Sequence, residues 1–216
     1  MSDYHKYVFN TDKQTFVGRF EEMYQQEKIS VFDSWHQEDS RQLNRKIAIE
    51  ILNEYNFERI VDIGTGKGAL THQLKRCNNE VIGLDISPTA VEIARSRFPD
   101  IIFEIVDAND VVGFMDYFDQ HILANSESKS GAGAVVLVFT AECISYIEHW
   151  RDLLAALASR TRFLMVVLFL PENPIGFVKS IDELEWNFSR FFEILEMVII
   201  KKSRFVVIFG QSLPLK

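Results

Sequence analysis

The stretch Val61-Asp62-Ile63-Gly64-Thr65-Gly66-Lys67-Gly68 decides the fold of this chain. It starts as an apolar strand, passes through an acid and runs into three alternating glycines. Glycine lets a backbone turn sharply and approach a ligand with no Cβ in the way. The next apolar run, 80–85, also ends in an acid, Asp85. Strands that end in acids beside a glycine turn read as the nucleotide-binding half of an α/β sheet.

The same rhythm extends outward. Residues 59–63 and 80–85 read as the first two strands, 101–106 as the third, 134–139 as the fourth and 163–170 as the fifth. Helices are expected between them: 69–76, one opened by the Ser87-Pro88 cap, one around 114–123, and one carrying Trp150, Leu153, Leu154 and Leu157. Near-continuous apolar strands alternating with helices imply a parallel sheet covered on both faces. Ser180 and Glu183 have capping-box spacing for a later helix. The runs 192–200 and 204–209 are joined by so few residues that they must pair antiparallel. The expected fold is a Rossmann-like, doubly wound, seven-stranded α/β sheet of five parallel strands finished by an antiparallel C-terminal hairpin.

Upstream, Phe16, Phe20, Met23 and Tyr24 recur at helical spacing, and Leu43, Ile47 and Ile51 do so again. Between them lies the aromatic-rich, irregular segment 31–36. Residues 1–45 are expected to form a helical cap or lid. Residues 46–216 form the cofactor-binding domain, and the whole is one domain. The Ser/Gly-rich stretch 125–133 reads as a surface loop.

Composition narrows the class of function. The 216 residues are 47% hydrophobic and 25% charged, with 18 Phe and a net charge of −8. No basic patch of the kind that nucleic acid requires is visible. The longest apolar run is far too short to span a bilayer. Met1 to Lys13 is polar and unlike a signal peptide. Cys77 and Cys143 form no paired motif, so a cytoplasmic setting is expected. The five His are scattered without ligand spacing, so no metal site is expected.

In an open parallel sheet, ligands bind beyond the carboxyl ends of the strands. Four loops lie there. The glycine turn spans Asp62 to Gly68; with Ala69 next, it does not by itself exclude a dinucleotide. Asp85 suits the two hydroxyls of a ribose, and a role capping the turn before Ser87 is its structural alternative. Asp107, in the third loop with Ala108, Asn109 and Asp110, suits an adenine amino group; a metal is the alternative there. The fourth loop, Thr140 to Ile147, follows the central strand. Glu142 and Tyr146 lie four apart, as on one helical face, and touch donor or substrate unless they serve as a cap and as core.

The stretches VDIGTGKGAL, VIGLDISPTAVEIAR, FEIVDAND and VVLVFTAECISYI follow one another over residues 45–170. In this order the chain resembles the class I S-adenosylmethionine-dependent methyltransferases. The resemblance implies S-adenosylmethionine as cofactor. Gly64 and Gly66 would pass under its amino-acid part and Asp62 would orient its amino group through water. Asp85 would hold the ribose, Ile86 would pack on the adenine, and Asp107 and Ala108 would hold the adenine edge. Thr65, Gly68 and Thr140 complete the expected cofactor contacts. Thr65 and Lys67 depart from the residues common at those positions. Phe32-Asp33-Ser34-Trp35 is similar to an Asp-Pro-Trp element of sugar methyltransferases of the nodulation type, with Ser34 in place of Pro.

The expected activity is methyl transfer to O or N of a small polar molecule, a sugar among the candidates. An alcohol would need a general base. Glu142, His149 and Tyr146 are the candidates, with His36 behind them. Trp35, His36 and Asn173 are candidate substrate contacts, Asn173 lying in the Pro/Gly loop 171–177. The rival readings are a protein methyltransferase, a non-catalytic S-adenosylmethionine-binding module and an NAD-dependent oxidoreductase. The expected partner is a small molecule, with neither nucleic acid nor membrane.

Overall fold

The computed structural model describes residues 4–10, 12–30, 32–39, 41–124, 136–202 and 204–214. Seven strands form the main sheet: β3 (Arg59–Ile63), β4 (Glu80–Asp85), β5 (Ile102–Ile105), β6 (Val136–Ala141), β7 (Phe163–Phe169), β8 (Phe192–Ile200) and β9 (Phe205–Ser212). Their order is β5-β4-β3-β6-β7-β9-β8. The first five are parallel. β9 runs antiparallel between β7 and β8, so the C-terminal hairpin closes one edge of the sheet. Two short strands upstream, β1 (Phe9–Asn10) and β2 (Thr15–Phe16), pair by themselves.

The central strands are buried on both faces because helices cover both. On one side α7 (Trp150–Ala158) buries Trp150, Leu153, Leu154 and Leu157 against β3, β6 and β7. These recur at three and four residues, which puts them on one stripe of the helix. On the other side α3 (Leu43–Asn53) and α5 (Pro88–Arg97) bury Ala48, Leu52, Val91 and Ala94. Burying a Leu or Phe side chain contributes about 1.5–3 kcal/mol, so these two layers hold the sheet. α5 starts where the Ser87-Pro88 pair predicts, with Ser87 Oγ accepting from Ala90 N at 3.1 Å. α8 (Ile181–Ser189) starts at the Ser180 cap, whose Oγ accepts from Glu183 N at 3.0 Å.

The elements differ from expectation at several points, each with a local cause. Phe16 does not share a helix with Phe20; it pairs with Phe9 in the short hairpin, and Gly18 in the left-handed region turns the chain before α2 (Phe20–Ile29). The first crossover helix, α4 (Ala69–Gln73), is shorter than 69–76. β5 is an edge strand, so Ile102 and Ile105 are exposed despite their apolar run. The helix expected around 114–123 is α6 (Val111–Tyr117) continued as a π-helical segment, Phe118–Leu123. The Ser/Gly-rich stretch and the first two residues assigned to the fourth strand lie outside the described residues. No helix among the described residues is long and apolar enough to cross a membrane.

The segment before β3 lies across the carboxyl ends of the strands. Its first helical turn, α1 (His5–Val8), and α2 join an aromatic cluster of Tyr4, Phe9, Phe16, Phe20, Tyr24, Phe32 and Trp35, which also takes in Tyr146. α2 is fastened to α5. Glu21 accepts from Thr89 Oγ1 at 2.6 Å and from Thr89 N at 3.1 Å, and Ser87 Oγ also donates to it.

Candidate functional site

One cavity opens between the strand ends and the N-terminal segment, with about 920 Å³ of empty space including its mouth. The sheet wall contributes Asp62, Gly64, Thr65, Asp85, Ile86, Asp107, Ala108, Glu142, Cys143 and Tyr146. The facing wall contributes Phe20, Tyr24, Trp35, Gln37 and Arg45.

The glycine turn is built by backbone conformation. Gly64, Gly66 and Gly68 have φ of +79°, +56° and +80°, a region that costs other residues about 1–2 kcal/mol. Space matters as well. A Cβ on Gly64 would lie 2.4 Å from Cys143 Cβ, and one on Gly66 would lie 2.4 Å from Gln37 Oε1. The turn therefore admits close approach from the β6 loop at Gly64 and from the N-terminal segment at Gly66. Gly66 and Gly68 do not themselves line the cavity.

Three carboxyls of the cavity, Asp62, Asp85 and Glu142, are held above their ordinary values. Asp62 accepts from Thr71 Oγ1 at 2.5 Å, and Thr71 Oγ1 is in turn close to Thr65 Oγ1. Burial pushes Asp62 up to about 7, with Asp85 adding repulsion. Asp85 accepts from Gly66 N at 2.8 Å and from Ser87 N at 2.9 Å, so it ties the glycine turn to the start of α5. Burial raises it to about 6 in spite of those bonds. Its structural role and a place in the cavity wall coexist, because each carboxylate oxygen accepts more than one hydrogen bond. Asp107 is exposed at the rim and accepts from Asn109 N at 2.8 Å. Ile86, 42% exposed, presents an apolar surface between the two acids.

Glu142 and Tyr146 reach the same cavity without sharing a helix. Glu142 has φ +59° at the end of β6, and Tyr146 ends a 3₁₀ turn, Ile144–Tyr146. Glu142 Oε2 accepts from Phe169 N at 3.0 Å, while its buried Oε1 has no hydrogen-bond partner. Burial pushes this carboxyl up to about 7. Tyr146 OH accepts from Trp35 Nε1 at 3.2 Å, and burial pushes the phenol upward.

Other candidates lie elsewhere. His149 precedes α7 with its ring exposed, 3.8 Å from Asp152, and does not line the cavity. His36 and Asn173 are exposed and outside it, and Thr140 is buried in β6. Of the candidate substrate contacts, Trp35 alone faces the cavity. The loop after β7 reaches the N-terminal segment through Phe177, whose ring meets Phe16 edge-on at 5.4 Å. No group of three or more His, Cys, Asp or Glu suited to a metal exists among the described residues.

Arg45 is a cavity residue with no motif to announce it. Its Nη1 donates to His36 O at 2.8 Å and its Nη2 to Trp35 O at 2.9 Å. These bonds hold a turn in which Trp35 and His36 both take left-handed φ near +50°. Its Nε is buried without a partner. Arg45 and Glu142 both line the cavity, and Arg45 Nε and Glu142 Oε1 are both buried without a hydrogen-bond partner. Excess carboxylate on the sheet wall favours a ligand carrying positive charge and hydroxyls. S-adenosylmethionine offers a sulfonium, an ammonium, a ribose diol and a carboxylate, and fits this donor set.

Comparison with known proteins agrees with the geometry. Residues 60–163 match the family model of a methyltransferase domain. The demethylmenaquinone methyltransferase of Thermotoga maritima is 36% identical over 77 residues, which are 35% of this chain and 34% of that one. A ubiquinone biosynthesis O-methyltransferase of Cereibacter sphaeroides is 28% identical over 132 residues, 59% of this chain and 47% of the other. The matched region thus spans less than half of either relative. A TehB-like S-adenosylmethionine-dependent methyltransferase from Corynebacterium glutamicum superposes with a TM-score of 0.60 at 17% identity, over 90% of this chain and 98% of that one. Its likeness bears on the fold. The matched stretch holds the glycine turn, Asp85 and Glu142, and over it the chain is similar to a methyltransferase domain.

Proposed function

We propose that this protein transfers a methyl group from S-adenosylmethionine to an oxygen or nitrogen of a small molecule. The observation that carries this reading is the unpartnered Glu142 Oε1, set in the same cavity as Asp62 and Asp85 and facing an aromatic wall. When bound, the cofactor supplies an electrophilic methyl on a sulfonium. Asp85 would hold the ribose hydroxyls, Asp62 the ammonium side, and Asp107 with Ile86 the adenine. Arg45, in the facing wall, would hold the cofactor's carboxylate. Phe20, Trp35 and Tyr146 give the methyl acceptor a flat apolar surface and exclude water from the transfer. Glu142, raised close to neutrality by burial, removes the proton from the attacking hydroxyl or amine as the bond forms. A base with a pKa near the working pH is efficient in that role.

The aromatic wall suits either the apolar face of a sugar or an aromatic ring. The relatives named for demethylmenaquinone and ubiquinone biosynthesis support the ring. Both cysteines are free thiols, which suits the reducing cytoplasm. The test uses cofactor with a labelled methyl group, offered to phenols, amino sugars and the O-blocked form of each. Label is expected only in compounds with a free O–H or N–H. Tight cofactor binding without transfer to any of them would favour a binding module.

A further inference from the structure

The glycine turn carries a lysine that is not on the surface. Lys67 Nζ lies 2.6 Å from Glu27 Oε1 and 2.9 Å from Asp33 Oδ1, with Glu38 Oε1 at 3.6 Å. The side chains of Lys67 and Glu27 are only 10% and 6% exposed. All three carboxylates belong to the N-terminal segment. Burial alone would lower the lysine, yet the bonds and charges of Glu27 and Asp33 hold it above its ordinary value. The backbone joins in, for Lys67 N donates to Gln37 Oε1 at 2.8 Å. Gln37 Nε2 donates onward to Tyr24 OH at 3.2 Å. One residue earlier in the same turn, Gly66 N donates to Asp85. Successive amides of one turn therefore hold the N-terminal segment and the cavity acid.

We infer that Lys67 is a positioning residue that latches residues 20–38 onto the glycine turn, so that bound cofactor leaves only after this buried ion cluster has separated. The inference rests on reading the cavity as the cofactor site. Its physical basis is the cost of removing the cation from a cluster whose Lys67 and Glu27 are buried, which leaves Glu27 without a compensating charge, whereas Glu38 keeps Arg97. Glu27 and Asp33 would then draw water, and the segment would lift away from the turn. The glycine turn needs no lysine for its shape, since its φ values rest on glycines.

The test compares wild type, Lys67→Met, which keeps the stem and removes the charge, and Lys67→Arg, which keeps the charge. Hydrogen exchange of the ligand-free proteins is read at 20–30 and 32–38 against β3 and β6. Release of S-adenosylhomocysteine is read by stopped-flow displacement. Lys67→Met is expected to speed exchange in 20–38 and release of S-adenosylhomocysteine at least tenfold, with β3 and β6 unchanged. Lys67→Arg is expected to stay within threefold of wild type in both. Unchanged exchange in a folded Lys67→Met, or an equal acceleration in β3 and β6, overturns the latch. Glu27→Gln weakens the cluster from the other side and serves if Lys67→Met does not fold. Wild type that fails to bind S-adenosylhomocysteine overturns the cofactor reading and the release role with it; the exchange contrast then decides the latch alone.

Discussion

The two walls of the cavity are held together by different physics. The sheet wall comes from strand ends whose positions are set by parallel ladders and by glycine φ values; Asp85 and Glu142 bond to backbone amides and Asp62 to the Thr71 hydroxyl. The facing wall comes from α2, the start of α3 and the turn between them, held by ring contacts, by Arg45 on two carbonyls and by the Lys67 cluster. A ladder yields as one cooperative unit, whereas a handful of side-chain contacts opens locally at much smaller cost. The comparison teaches a division of labour. Under the proposed function, the rigid wall is the one that recognises the donor, and the wall that can part is the one that admits the methyl acceptor.

The largest expected effect breaks the chemistry and spares the donor. Glu142→Gln should lower kcat by about 100-fold or more, the usual range for a lost general base. Its cofactor affinity, measured by calorimetry, should stay within threefold of wild type. Next comes the rigid wall. Asp85→Ala should weaken cofactor binding about tenfold to a hundredfold, given about 1.5–3 kcal/mol for hydrogen bonds to a charged group. Circular dichroism should show the fold intact, and unchanged affinity would remove Asp85 from the site.

A smaller effect follows from the raised carboxyls. In the ligand-free fold Asp62 and Glu142 titrate near 7 and Asp85 near 6, against about 4 in the unfolded chain. Between those values the folded state binds more protons, so these groups make stability fall as pH rises from about 4 to 7. A cation beside Asp62 and Asp85 favours the ionised forms of those two. Cofactor affinity should therefore rise with pH, roughly tenfold between pH 5 and 7, with proton release measurable in buffers of different ionisation enthalpy. Affinity that is flat with pH would mean that these acids do not meet the cofactor. The smallest effect is on the facing wall. Trp35→Phe removes the donor to Tyr146 OH, a bond worth about 1 kcal/mol. It should raise KM for the methyl acceptor several-fold and leave donor affinity alone.

The rigid wall was legible in the sequence because its signals are local. An apolar run, an acid and a glycine turn lie within eight residues at Val61 to Gly68, and the Ser87-Pro88 cap marks α5 unaided. The facing wall was not. Lys67 reads as an unremarkable departure within the turn, since its three carboxylates lie about 30–40 residues away along the chain. Arg45 reads as one charge on an amphipathic helix, and only the fold brings it beneath the Trp35 turn. Phe16 has the period of the helix that follows it, but Gly18 ends that pattern before α2 begins. Spacing also put Glu142 and Tyr146 on one helical face; they meet in the cavity because Glu142 turns left-handed instead.

The central claim is that the acidic wall is a site for S-adenosylmethionine. Calorimetric titration of the wild-type chain with S-adenosylhomocysteine, beside NAD as control, tests it most directly. Saturable one-to-one binding of S-adenosylhomocysteine, and none of NAD, is the predicted result. Binding of NAD with no response to S-adenosylhomocysteine would contradict it.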